Sequence, residues 1–292
     1  MAHPSRPAMS AEQYNALTRR LALEYRPAPP QDVLAALSCI RHGRIVSLGD
    51  GPAEPPLDPG LVAPVGEPAP YRLTQWTESG DDWVAVNDRL ELDVHGATSM
   101  THLDTTGHFT WRNGRDRPPK GDPLVELANA PIVRRGVLVD VPGVLGLEVG
   151  GMVVTLEEVQ EVLERTGLVI HPGDVLHISL GRRGTARSDI AFGAVPTAGL
   201  SIEAAEWLAG LSPAAIVTDE GLDPLPSQVD GLPVPWHVLV LTVLEIPLID
   251  RALLTTLSRA CAELSQWEFL SVLAPLPIRG ASGSPLNPLA IL

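Results

Sequence analysis

The chain has 292 residues, and 21 lysines and arginines against 35 aspartates and glutamates leave it at −14 near neutral pH. An acidic field with no basic run to offset it argues against nucleic acid or an anionic membrane as partner. Global disorder is excluded by 45% apolar against 19% charged residues.

The length suits one large domain or two small ones. The longest apolar run, Val238–Leu244 with Thr242 inside it, falls far short of the roughly 20 residues a bilayer span needs. No apolar signal core stands at the N-terminus. Cys39 and Cys261 resemble neither a metal pair nor a disulfide framework, so a reducing cytoplasm is the expected compartment. The 29 prolines, about twice average usage, are interleaved with apolar segments and imply many short elements joined by turns.

In chain order, residues 1–27 have Ala/Leu-rich helical character, and Gln31–Ile40 is a second short amphipathic piece after Pro29-Pro30. Gly49–Pro68 is too rich in Pro and Gly for a regular state. It separates an N-terminal arm, 1–68, expected to pack on the body or a partner subunit, from a body at 69–292. Arg89–His95 alternates strictly, which predicts a strand with Leu90, Leu92 and Val94 on a core face and Arg89, Glu91, Asp93 and His95 on a polar one. Gly136–Val141 reads as a strand ended by Pro142. Thr155 opens a helix with a capping box to Glu158, an apolar stripe of Leu156, Val159 and Leu163, and Gly167 as its stop. Asp174–Leu180 is a strand, Ser201–Gly210 a short helix capped by Ser201, Ala215–Thr218 a strand, Leu253–Leu264 a helix and Phe269–Ala274 a late strand. The final eighteen residues read as loop. Strand and helix alternate too irregularly for a doubly wound sheet, and nucleotide-loop and Gly-x-Ser-x-Gly motifs are missing.

The chemistry concentrates in Val94–Phe109, VHGATSMTHLDTTGHF. His102 and Asp104 point to one side of an extended backbone, and a turn over Thr105–Gly107, eased by Gly107, can bring His108 back toward them. His95 stands seven residues upstream of His102. Imidazole and carboxylate converging on one point suit Zn²⁺, or Mn²⁺ as the oxygen share rises; the bland alternative is a set of hydrogen-bonded loop histidines. Further ligands must come from elsewhere. His237 precedes an apolar segment, and Asp250 ends the run Ile246–Ile249, where a strand would deliver a carboxylate. His177 reads as a core or supporting residue, His42 and His171 as surface, and His3 as part of the arm. Trp83, Trp111 and Trp236 flank these segments as core filling or as aromatic walls of a pocket.

Thr101-His102-Leu103-Asp104-Thr105-Thr106-Gly107-His108-Phe109 resembles the Thr-His-x-Asp-x-x-x-His-Phe signature of the cyclase family, metal-dependent enzymes that include bacterial kynurenine formamidase and isatin hydrolase. The ending Ala274–Leu292, together with Arg44–Gly49 and Pro172–Asp174, is similar to the same family in order and composition. The resemblance implies an α/β fold, a mixed sheet curled into a barrel-like core with peripheral helices, and assembly as a homodimer or larger. It implies His102, Asp104 and His237 as metal ligands, with Asp250 at a further ligand position and His108 as a further ligand or proton shuttle; His95, the nearest other imidazole, is the residue that would complete the shell. The chain departs from the pattern in three places: Thr98 stands where the family often has a histidine, Asp250 where it usually has Glu, and Thr106 where it has Pro. The implied activity is hydrolysis of a small amide, formamide or lactam by metal-activated water. Two alternatives stand beside it: a cyclase or dehydratase acting on a polyketide-like intermediate in secondary metabolism, and a non-catalytic binding protein with a degraded metal site.

Overall fold

The computed structural model describes residues 8–30, 32–50, 71–95, 99–112, 121–147, 153–181 and 197–292. In chain order the strands are β1 Ile45–Ser47, β2 Tyr71–Ser79, β3 Val84–Leu92, β4 His102–Asp104, β5 Ile132–Asp140, β6 Val153–Val154, β7 Val175–Ser179, β8 Gly199–Leu200, β9 Ala215–Thr218, β10 Leu248–Asp250, β11 Glu268–Leu273, β12 Gly283–Pro285 and β13 Leu289–Ile291. Nine of them form one sheet in the order β1-β13-β11-β5-β7-β9-β10-β4-β12, curled into a half-barrel. Its centre, β5-β7-β9-β10, is parallel and both flanks are antiparallel. The expected mixed, curled α/β architecture is therefore the one observed. Among the described residues, no helix is long and apolar enough to cross a membrane.

The central strands are buried on both faces, as parallel strands are when helices cover them. Val137, Val139, Leu176, Ile178, Ile216 and Leu248 face one apolar cluster with Val159 and Val162 of helix Leu156–Thr166 and Tyr14, Leu17 and Leu21 of helix Ala11–Glu24. Leu138, Val175, Val217, Ile249 and Leu103 face a second, closed by Leu257, Ala260 and Cys261 of helix Leu254–Leu264. Local signals set the helix ends. Ser10 with Gln13 and Thr155 with Glu158 form capping boxes, and Gly167 takes the left-handed conformation that ends its helix. The Ser201 segment is a 3₁₀ turn, Ile202–Ala204, that runs into helix Ala205–Leu211.

Two expectations are corrected. The Arg89–His95 alternation begins in β3, which among the described residues pairs only with β2 in a two-stranded hairpin. Leu90, placed by sequence on a core face, is 56% exposed, and Val84 is 71% exposed. Alternation fixes which residues share a face, not whether anything covers it. The last eighteen residues are not simply loop, because β12 pairs with β4 and β13 bridges β1 and β11. The Gly49–Pro68 loop falls, from residue 51 on, outside the described residues, as do His3 and Thr98.

Candidate metal centre

Strand β4 lies between β10 and β12, and its register does most of the assembly. Leu103 is fully buried in the second cluster, so the period of two turns His102 and Asp104 together toward the other face. Asp250 of β10 sits directly opposite His102, and Leu248 opposite Asp104; residues opposite one another across a ladder share a face. The signature threonines anchor the strand. Thr101 Oγ1 donates to the Arg251 carbonyl at 2.6 Å, and both the amide and the hydroxyl of Thr105 donate to the Ser282 carbonyl at 3.0 and 2.7 Å. The turn that returns His108 is closed by its amide on the Thr105 carbonyl at 3.0 Å. Gly107 does not adopt a positive φ there, so the expected special backbone angle is not used.

The other five residues singled out by sequence gather around Asp104. Its Oδ1 lies 2.9 Å from His95 Nδ1 and 3.5 Å from His102 Nε2. Its Oδ2 lies 3.8 Å from His108 Nε2 and 3.9 Å from His237 Nε2. His237 Nε2 also meets Asp250 Oδ2 at 2.9 Å. Candidate ligand atoms fall into two triads that share Asp104: His102, Asp104 and Asp250, and His95, Asp104 and His108.

Three of the four imidazoles have their outer nitrogen on a hydrogen-bonding group. His102 Nδ1 donates to the Met100 carbonyl at 2.7 Å and His237 Nδ1 to Asp223 Oδ2 at 2.5 Å, while His95 Nε2 lies 3.1 Å from the Ser282 hydroxyl. The carbonyl and the carboxylate can only accept, so they hold a proton on the outer nitrogens of His102 and His237, the arrangement that orients a ligand histidine. His108 has no such outer partner among the described residues. Asp223 was not foreseen. Buried in the loop after β9, it accepts from the amides of Trp236 and His237 at 2.7 and 3.1 Å as well as from the His237 ring. Only the tertiary approach of that loop to helix Pro235–His237 reveals its role.

The electrostatics divide the histidines further. Burial drives the His108 pKa down to about 4; Asp104 opposes this, while the neighbouring His95, His237 and His102 reinforce it, so the ring is neutral at pH 7. Burial also opposes charge on His237, but Asp250 and Asp223 outweigh it and raise its pKa well above the ordinary value. Burial alone would raise Asp250, yet its contact with His237 holds it below the usual carboxylate range.

A cation fits this donor set. Asp104 is 1% exposed, and among the described residues neither of its oxygens has a hydrogen bond; Asp250 Oδ1 and His95 Nδ1 are likewise buried without one. Buried carboxylate oxygens left without donors are costly, and a divalent ion amid mixed nitrogen and oxygen ligands would satisfy them.

The surroundings are less uniform than sequence suggested. Phe109 lies edge-on to His108, with centroids 4.5 Å apart, and 5.5 Å from His237, giving the site an apolar side. Trp111 meets Tyr14 edge-on, and Trp236 is fully buried with its Nε1 on the Leu200 carbonyl. Trp83 is exposed near the hairpin turn and lines nothing at the site. His177 is completely buried on β7, and His42 and His171 are exposed.

The sequence matches the Cyclase family, described as "Putative cyclase", over residues 53–222, more than half of the chain and including the whole signature. The chain belongs to the Cyclase family. Solved structures agree on the fold. A crystal structure described as a novel cyclase superposes with a TM-score of 0.71 at 22% identity, covering 94% of this chain and 96% of that one. Isatin hydrolase A from Ralstonia solanacearum gives 0.59 at 24% identity, covering 91% and 99%. Isatin hydrolase A from Labrenzia aggregata, bound to benzyl benzoate, gives 0.56 at 20% identity, covering 88% and 96%. No curated protein matches the sequence.

Proposed function

We propose that this Cyclase-family protein is a metal-dependent hydrolase of a small-molecule amide, formamide or lactam. One observation carries the reading: a buried carboxylate, Asp104, with both oxygens free of hydrogen bonds among the described residues and four imidazole nitrogens within 4 Å of it. The ligands are His102 and His237 through Nε2, with Asp104 and Asp250, and the mixed donor set suits Zn²⁺ or Mn²⁺. A divalent ion held there supplies Lewis-acid polarisation of a carbonyl and acidifies water. His108 is the residue for proton transfer. It is neutral at pH 7, its Nδ1 has no partner among the described residues, and it stands beside the cluster, where a leaving nitrogen needs a proton. The Phe109 ring packs the substrate's apolar part and keeps water from that side.

The acidic surface favours a small molecule over nucleic acid or membrane as partner. The exposed apolar residues of the hairpin, Leu73, Val84, Val86 and Leu90, support assembly as a homodimer, which sedimentation at micromolar concentration tests.

The activity test is a panel of formamides, lactams and aryl amides with the metal-loaded enzyme in ¹⁸O-labelled water. Label in the carboxylate product is the expected result. A metal-loaded enzyme silent on the whole panel would overturn the hydrolase reading and favour ring closure or water loss on a polyketide-like substrate.

A further inference from the structure

His95 reaches the centre differently from the other histidines. His102 lies on the sheet itself, and His237 is held by its own backbone amide on Asp223. His95 comes three residues after the end of β3, in a hairpin whose strands pair only with each other among the described residues. Its local chain therefore does little to fix its ring.

The C-terminal segment supplies a seat. Ser282 Oγ stands 3.1 Å from His95 Nε2. Gly283 lies flat beneath the ring: a Cβ there would meet His95 Cε1 at 2.5 Å, His95 Nε2 at 3.0 Å and the Leu103 carbonyl oxygen at 2.6 Å. The imidazole occupies the space an alanine methyl group would take. The seat is tied to the signature strand, because the Ser282 carbonyl accepts both the amide and the hydroxyl of Thr105, and Gly283 pairs with Asp104 across the β12–β4 ladder. With Nε2 against the Ser282 hydroxyl, Nδ1 faces Asp104 Oδ1 at 2.9 Å, and the ring stacks on His108 with centroids 3.8 Å apart.

We infer that Ser282 and Gly283 are positioning residues that make His95 a metal ligand through Nδ1. The inference rests on the metal-site reading above. It assigns the C-terminal strap to the metal centre, so that residues about 190 positions apart in sequence build one ligand.

The test uses the full-length, ¹⁵N-labelled protein titrated with ZnCl₂ alone. The His95 Nδ1 resonance is expected to shift on binding while Nε2 stays protonated. Competition with a chelator is expected to show Zn²⁺ affinity about 100-fold weaker in His95→Ala and about tenfold weaker in Ser282→Ala, the scale on which ligand support acts. The two losses should not add in the double variant, since the serine acts only through the ring. Gly283→Ala is expected to mimic His95→Ala. It also crowds the Leu103 carbonyl, so its melting in EDTA must match wild type for it to count; otherwise the serine and histidine variants decide. Zn²⁺ bound by wild type with the His95 nitrogens unmoved and the His95→Ala affinity unchanged overturns this inference and leaves the four-ligand site intact. No Zn²⁺ binding by wild type overturns the site itself.

Discussion

Asp104→Asn separates the cost of the centre from its use. The amide keeps the size and shape of the carboxylate, so no cavity forms, and its NH₂ can donate to the imidazole nitrogens that now face an acceptor-only group. In the metal-free wild type, Asp104 is 1% exposed with neither oxygen hydrogen-bonded among the described residues. An unsatisfied buried polar group costs about 1–3 kcal/mol. At about 2 °C per kcal/mol for a chain of this size, the variant is expected to melt roughly 2–6 °C above wild type in EDTA. With Zn²⁺ at about a thousand times its dissociation constant, mass action adds about 4 kcal/mol to the wild type, or roughly 8 °C, and almost nothing to a variant without the shared ligand. The order of stability therefore reverses between EDTA and Zn²⁺, as differential scanning fluorimetry would record. A variant less stable than wild type in EDTA and equally stabilised by Zn²⁺ would refute the reasoning.

Three further outcomes are expected. His108→Ala keeps its metal by elemental analysis but loses on the order of 10² to 10⁴ in kcat, since this ring is the one whose outer nitrogen lacks an acceptor among the described residues. Asp223→Asn weakens Zn²⁺ binding about 10- to 100-fold by chelator competition, because it unseats the His237 ring and not a ligand atom. The metal-free protein loses stability as pH falls from about 6.5 toward 4. Complete burial lowers the His177 pKa to about 4, so the folded state takes up fewer protons than the unfolded one at this residue in that window, and the contribution of His177 is full above it. The loss amounts to roughly 3 kcal/mol at its lower end, and chemical denaturation of wild type against His177→Leu measures it.

The legible part of the site follows from local geometry. His102 and Asp104 share a side because strands have a period of two, and Asp250 ends an apolar run that is in fact β10. That Asp250 faces His102 is a matter of register between strands 146 residues apart in sequence, which no local pattern encodes. Asp223 and Ser282 were invisible for the same reason, since each acts on a histidine that only the tertiary fold brings near. The hairpin misled because Leu90 and Leu92 alternate as they would against a core, and exposure of a ribbon leaves alternation unchanged. Strands β12 and β13 have three residues each, too few for any periodicity to show, and lie among Gly, Pro and Ser residues that read as loop. Capping boxes at Ser10 and Thr155 and the stop at Gly167 are local chemistry; of these, sequence alone marked Thr155 and Gly167, and both hold.

The central claim is that a divalent ion sits at Asp104. Crystals grown with Zn²⁺ or Mn²⁺ and measured at the metal's absorption edge test it directly. An anomalous peak is expected roughly 2.0–2.2 Å from Asp104 and from Nε2 of His102 or His237. A saturated crystal with no peak at Asp104, or with its only peaks on other residues, would contradict it.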